Sequence, residues 1–110
     1  MTIDSLREFG ANVDEGLERC MGMEDFYLEM IELGLSDQRF EALGELLDAG
    51  RFDEAFEMVH ALKGVIGNLA LGPLYNTISD MTEFLRVKAD VDYKALYQRV
   101  MEQRKRIMEG

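Results

Sequence analysis

The sequence has one cysteine, one histidine, one proline and no tryptophan. Its single cysteine, Cys20, cannot form an internal disulfide, which fits a reducing compartment. Its single histidine, His60, excludes a zinc site built on two or three histidines. No serine lies in a nucleophile-elbow sequence, and no glycine-rich phosphate-binding loop is present. Any chemistry of this chain therefore depends on His60 or on carboxylates.

The sequence also lacks an excess of positive charge and a long apolar run. Its 12 basic and 22 acidic residues give a net charge of −10, which argues against nucleic acid or an anionic membrane surface as a partner. The longest stretch without a charged residue, residues 64–79, contains glycines and a proline and does not read as a membrane span. The N-terminus lacks a basic-then-apolar signal pattern, so we expect a soluble, cytoplasmic protein.

Length and composition favour one all-α domain over residues 1–110. A chain of this length is typical of a single domain, and its 47% hydrophobic residues predict a packed core. With one proline and few β-branched residues, the sequence favours helices over strands. Apolar stripes at helical spacing with short loops predict an antiparallel helical bundle, which we expect to be a monomer. A short additional N-terminal helix is predicted over residues 15–20, with Asn12 or Asp14 as its cap.

Two further helices are predicted before residue 50. The first runs over about 24–33 and is interrupted by Gly34, and the second begins at the N-cap Ser36 and runs to about Ala49. The pattern leaves open whether the two form one long bent helix. The apolar residues expected to face inward are Phe26, Met30 and Leu33 in the first helix and Phe40, Leu43 and Leu47 in the second.

The second half of the chain carries the strongest helical pattern. One helix is predicted to begin at Phe52 and to end at Gly72, and the next has Pro73 in its first turn. Asp90 or Asp92 is the predicted cap of a last helix. The residues expected to face inward are Phe52, Ala55, Phe56, Val59, Leu62, Ile66 and Leu69 in the first, Leu74, Ile78, Met81 and Leu85 in the second, and Tyr93, Leu96, Tyr97, Val100 and Ile107 in the third.

His60 lies on the polar side of the strongest helix. At about 100° per residue the apolar stripe centres near Val59, and His60 projects away from it. Lys63, Gly64 and Gly67 fall on the same side as His60. A glycine in mid-helix costs roughly 1 kcal/mol relative to alanine, which is tolerated where something must approach the backbone closely. The alternatives are an ordinary surface histidine and glycines that only ease helix packing.

This arrangement suits phosphoryl transfer through histidine. A free imidazole is mostly neutral at pH 7 and has a lone pair that can attack phosphorus. Lys63 would offset charge on the phosphoryl oxygens, and small residues beside the ring would let a partner's active site close over it. The sequence has no nucleotide loop and no evident magnesium site, so we expect no cofactor on this chain and magnesium supplied by the partner.

The run His60-Ala61-Leu62-Lys63-Gly64, followed by Asn68-Leu69, resembles the H-x-L-K-G motif of histidine-containing phosphotransfer (HPt) domains. The likeness extends from about residue 12 to residue 85. It implies a four-helix bundle in which His60 accepts a phosphoryl group from the aspartate of one receiver domain and passes it to another. Lys63 would assist electrostatically, while Gly64 and Gly67 would admit the receiver.

The resemblance also implies a phosphocarrier and not an enzyme. Its partners would be response-regulator receiver domains and a hybrid sensor histidine kinase. The sequence departs from the family at two positions near the motif. The family often has a small polar residue where Val65 stands and a glycine where Ala70 stands, and we expect Gly72 to take the place of that glycine.

Two other functions fit the sequence. A helical interaction module would bind a receiver domain without exchanging phosphate. A kinase-like dimerisation bundle would form a dimer and would carry its own ATP-binding domain, and the chain contains no such domain, which ranks this alternative last. Met1 favours a standalone domain, with a fragment of a larger kinase as the alternative.

Overall fold

The computed structural model describes residues 1–110 and contains α-helices and no strand, which confirms the all-α prediction. None of the helices combines the length and the apolar character that a membrane span requires. The seven helices are α1 (Ile3–Phe9), α2 (Val13–Arg19), α3 (Glu24–Leu35), α4 (Arg39–Asp48), α5 (Phe52–Asn68), α6 (Gly72–Arg86) and α7 (Tyr93–Glu109).

Helices α4 to α7 form a four-helix bundle. α5 packs against α4 and α6, and α7 packs against α6 and α4, so the four helices close a ring around one core. Residues 49–51 and 69–71 are the only links on either side of α5, and such short connections make consecutive helices antiparallel. The molecule measures 41 × 22 × 20 Å. The predicted bundle is confirmed.

Three helices precede the bundle, of which the sequence predicted only the second and third. Thr2 is the N-cap of α1. Its hydroxyl accepts a hydrogen bond from the Ser5 backbone N–H, while the Ser5 hydroxyl accepts one from the Thr2 N–H. This reciprocal cap satisfies two backbone donors at the helix start. α2 has Asn12 as its N-cap, which is one of the two predicted caps. α1 packs against α2 and α7, and α2 packs against α3.

The predicted inner face of α3 is wrong for two of its three residues. Phe26 is 44% exposed and Leu33 is 62% exposed, whereas Met30 is half-buried against the core. The buried residues are Tyr27, Ile31 and Leu35. The buried stripe is thus rotated by about one residue, or roughly 100°, from the predicted one. The reason is tertiary, because α3 has neighbours on both α2 and α7.

The predicted break at Gly34 is also wrong. α3 continues to Leu35, and a Cβ at Gly34 would lie 2.6 Å from the Cδ1 of Leu69. The glycine therefore lets α3 approach the C-terminal end of α5 closely.

α3 and α4 are two separate helices. Ser36 ends α3 and does not cap α4, which corrects the prediction. α4 begins at Arg39, where the Asp37 carboxylate accepts a hydrogen bond of 2.9 Å from the Arg39 backbone N–H and also pairs with its guanidinium. Of the residues predicted to face inward on α4, Phe40 and Leu43 are buried and Leu47 is half-buried.

α5 ends four residues earlier than predicted. Its last residue is Asn68, because Ala70 adopts a left-handed conformation with φ +60°. Gly72 instead opens α6, so the expectation that Gly72 replaces the glycine at the helix end is wrong. Pro73 lies in the first turn of α6, as predicted. The residues predicted to face inward on α6 are all buried: Leu74, Ile78, Met81 and Leu85.

Candidate functional site

His60 lies in the middle of α5, on the exposed face of the bundle. Its neighbours along the helix, Val59 and Leu62, are fully buried in the core formed with the other helices. The ring of His60 points away from that core and is exposed. The position that the helical wheel predicted for His60 is therefore the observed one.

The other residues assigned to the site from the sequence lie beside His60. Lys63, Gly64 and Gly67 line the same open depression as His60, which has a volume of about 710 Å³. Lys63 is half-buried and takes part in none of the ion pairs of the protein. Its ammonium group is therefore free to face an anion that enters the depression.

Gly64 and Gly67 have different surroundings, although the sequence treats them alike. A Cβ at Gly64 would meet no atom within 4 Å. A Cβ at Gly67 would lie 3.1 Å from the Cε2 of Tyr75, a side chain of α6. Gly64 therefore leaves open surface next to His60, whereas Gly67 lets the Tyr75 ring lie close to α5.

The depression also has walls that the sequence analysis did not assign to the site. Asn12, Glu15 and Arg19 contribute one wall from α2, and Tyr75 contributes another from α6. Arg19 pairs with Glu15 one turn earlier. Nothing local in the sequence indicates these residues, because only the packing of α2 and α6 brings them to α5.

Two side chains outside the bundle hold the C-terminal end of α5. The Nη1 of Arg19 donates to the carbonyl oxygens of Gly67 at 2.9 Å and Asn68 at 3.0 Å. The Tyr27 hydroxyl donates to the carbonyl oxygen of Leu69 at 2.7 Å. Burial raises the pKa of Tyr27 to about 12, so the hydroxyl keeps its proton and continues to donate. These bonds satisfy carbonyls that a helix end leaves without partners.

His60 also contacts an aromatic ring of its own helix. Phe56 lies one turn before His60, and the two rings stack with centroids 5.7 Å apart and planes inclined by 23°. The guanidinium carbon of Arg86, on α6, lies 5.1 Å from the centroid of the Phe56 ring. Phe56 was predicted to face the core, and it packs against the core but is only half-buried and also reaches the face that carries His60. The same prediction is wrong for Phe52, which is 43% exposed at the first turn of α5.

Metal-binding side chains do not cluster in this protein. No group of three or more His, Cys, Asp or Glu side chains is arranged to hold a metal ion. The polar side chains that line the depression are an imidazole, an unpaired ammonium, two amides, a phenol and the Arg19–Glu15 pair.

These features define a small all-α domain that exposes one histidine, with a free lysine beside it, on the face of a four-helix bundle. The family model described as "Hpt domain" matches residues 31–107, and the chain belongs to this family. Hpt domains serve histidine phosphotransfer in two-component signalling. Searches of curated proteins and of solved structures gave no significant match.

The family match and the likeness noted in the sequence overlap over residues 31–85 and differ at both ends. The match begins at Ile31, inside α3, and leaves out α1 and α2. It continues past Leu85, the last residue of the likeness in the sequence, into α7. The wall that α2 contributes to the depression therefore lies outside the part that the family match covers.

Proposed function

We propose that this protein is a phosphorelay intermediate of a two-component system. His60 carries a phosphoryl group between the aspartates of receiver domains, and the protein is a phosphocarrier and not an enzyme. The observation that carries this proposal is the exposed ring of His60 in a depression open to a partner, in a chain of the Hpt family.

The reaction is a reversible displacement at phosphorus. The Nε2 lone pair of the neutral His60 ring attacks the phosphorus of an aspartyl phosphate, with the ring proton on Nδ1. The P–N bond forms as the P–O bond to the aspartate breaks, and the carboxylate leaves with that electron pair. In the second transfer a receiver carboxylate attacks the phosphorus, the P–N bond breaks and its electron pair returns to Nε2.

Lys63 and Gly64 support this displacement in different ways. Lys63 lies one turn after His60 without an ion-pair partner, so its ammonium group can face the phosphoryl oxygens and offset their charge. Gly64 leaves the surface beside the ring open, so a receiver can bring its aspartate in line with Nε2. Gly67 borders the same opening. The Mg²⁺ that phosphoryl transfer requires comes with the receiver domain, and this chain needs no cofactor of its own.

The partners in this proposal are response-regulator receiver domains and a hybrid sensor histidine kinase. The net charge of −10 disfavours nucleic acid and anionic membranes as partners. The lone cysteine fits a reducing compartment, and we place the relay in the cytoplasm, with this protein as a monomer.

Incubation with a phosphorylated receiver domain tests the proposal. We expect an acid-labile, alkali-stable label on the wild type and none on His60→Gln, with equal helix content by circular dichroism. A receiver that binds the wild type without transferring phosphate would instead indicate a non-catalytic interaction module. Label that persists on His60→Gln would contradict the assignment of the phosphoacceptor. Gel filtration separates the monomer from a dimerisation bundle.

A further inference from the structure

We propose that Phe56 is a positioning residue, which holds the ring of His60 in one orientation and is itself held by Arg86. This inference rests on the proposed phosphotransfer function of His60. It assigns a role to two side chains that lie outside the histidine–lysine–glycine motif.

The contacts run from α6 to the reacting ring. The Arg86 Nε lies 3.4 Å from the Oε2 of Glu83, one turn earlier on α6. The Arg86 guanidinium lies over the Phe56 ring at 5.1 Å, and the Phe56 ring stacks on His60 at 5.7 Å. Phe56 and His60 are four residues apart, the spacing at which helix side chains meet. Arg86 therefore restricts the Phe56 side chain, and Phe56 restricts the ring of His60.

The restriction matters because His60 is otherwise on an exposed surface. A free surface imidazole samples several rotamers, and it must give up that freedom before Nε2 can face phosphorus in line. Stacking on a half-buried phenyl ring removes part of this freedom before the partner arrives. An offset aromatic pair is favourable beyond the apolar area that it buries, so the stacked orientation of the ring is favoured over the others.

Phe56 is half-buried against the core and also stacks on the His60 ring. A role in core packing and a role in orienting His60 predict different results for substitutions of Phe56. Core packing depends on the volume of the side chain, which leucine largely supplies. Orientation of His60 depends on the aromatic face, which leucine lacks and tyrosine keeps. Phe56→Leu and Phe56→Tyr therefore separate the two roles.

The chain offers a matched control on the same helix. Phe52 lies one turn before Phe56 and pairs with the Tyr93 ring at 5.4 Å, away from His60. Phe52→Leu removes an aromatic pair of similar exposure from α5 without touching the site. Arg86→Gln provides a second test at the surface, since it removes the guanidinium that lies over Phe56 and leaves the core unchanged.

The experiment measures ring stacking and phosphorylation in parallel. We expect proton NMR to show His60 ring resonances shifted by the Phe56 ring current in the wild type, in Phe56→Tyr and in Phe52→Leu. In Phe56→Leu the shift disappears, and labelling of His60 by phosphoramidate and by a phosphorylated receiver slows about tenfold. In Arg86→Gln the loss of the ring-current shift and the slowing of labelling are both smaller than in Phe56→Leu. Thermal midpoints of the Phe56, Phe52 and Arg86 variants that equal the wild-type midpoint confirm that slower labelling does not result from unfolding.

The possible failures are distinguishable. If the wild type takes no label from either donor, the proposed function falls and the role of Phe56 falls with it. If the wild type is labelled and Phe56→Leu is labelled at the same rate, only the positioning role is overturned. The same conclusion follows if Phe52→Leu slows labelling as much as Phe56→Leu does, or if the wild-type His60 resonances show no ring-current shift.

Discussion

The Nη1 of Arg19 lies 2.9 Å from the carbonyl oxygen of Gly67, a residue 48 positions later in the chain. Through this bond α2, which lies outside the family match, completes the last turn of the helix that carries His60. The guanidinium is kept in place by Glu15 on its own helix. The N-terminal helices are thus part of the structure that defines the exposed face of α5.

Arg19→Ala is expected to destabilise the protein by about 1 kcal/mol. The substitution leaves two carbonyls of α5 without their charged donor, and bonds of this kind contribute about 1.5–3 kcal/mol when buried and less when half-exposed, as here. For a domain of this size the change corresponds to a thermal midpoint lower by roughly 4–8 °C. Urea and thermal denaturation measure it.

Arg7→Ala is the control for the loss of an arginine. Arg7 only pairs with Asp14 at the surface, and exposed pairs contribute about 0–1 kcal/mol. Equal destabilisation by the two variants would show that Arg19 does not support α5.

Gly64→Leu is expected to separate receiver transfer from folding. The position is open, so the variant folds and can gain up to about 1 kcal/mol, because leucine is a better helix former than glycine. The new side chain holds the receiver's aspartyl phosphate away from His60, and a misplacement of about 1 Å can slow transfer on the order of 100-fold. Labelling by phosphoramidate, which needs no docking, is expected to fall much less.

Ala95→Leu is the control for an added exposed side chain, because Ala95 is an exposed residue of α7. It is expected to leave both labelling rates unchanged. Equal losses with both donors in Gly64→Leu would mean that Gly64 shapes the histidine itself, and no loss with either donor would remove Gly64 from the docking surface.

Gly64→Ala and Gly67→Ala are expected to differ in stability. An alanine at Gly64 meets no neighbour, so the variant gains up to about 1 kcal/mol of helix propensity. An alanine at Gly67 presses on the Tyr75 ring at 3.1 Å, and the strain offsets that gain. The midpoint of thermal unfolding is expected to be higher for Gly64→Ala. The opposite order would show that Tyr75 yields without strain.

Tyr27 is expected to make stability fall at high pH. Its pKa is raised from 10.0 to about 12 in the folded protein, chiefly by burial. Between these values the unfolded chain loses the phenolic proton and the folded protein keeps it. The stabilisation that Tyr27 contributes through this pKa difference is therefore complete below pH 10 and is lost as the pH rises towards about 12. Urea unfolding at pH 8 and pH 11 measures this difference.

Tyr27→Phe is expected to lower stability at pH 8 by about 1–3 kcal/mol, because the Leu69 carbonyl loses its hydrogen bond. Its further decline to pH 11 is expected to be shallower than that of the wild type. Tyr75→Phe is the control for the loss of one phenol. A decline in Tyr27→Phe as steep as in the wild type would place the alkaline sensitivity elsewhere.

Interactions within one or two helical turns were predictable from the sequence. The apolar stripe of α5 placed His60 on the exposed face with Lys63 and Gly64 beside it. The caps Asn12 and Asp92 are each one of the two residues predicted for their helix start. The spacing of apolar residues in α4 and α6 predicted most of the residues that these helices bury. These features depend on spacing along the chain, which the sequence contains directly.

The tertiary structure decided the features that depend on distant residues. Contacts of α3 with α2 and α7 buried Tyr27 in place of Phe26, and the left-handed Ala70 ended α5 before Gly72. Arg19 reached α5 across 48 residues, and Arg86 of α6 came to lie over the Phe56 ring. The sequence determined that α5 presents a histidine. The packing of α2, α3 and α6 determined what surrounds that histidine, because the free energy of those contacts arises only once the helices meet.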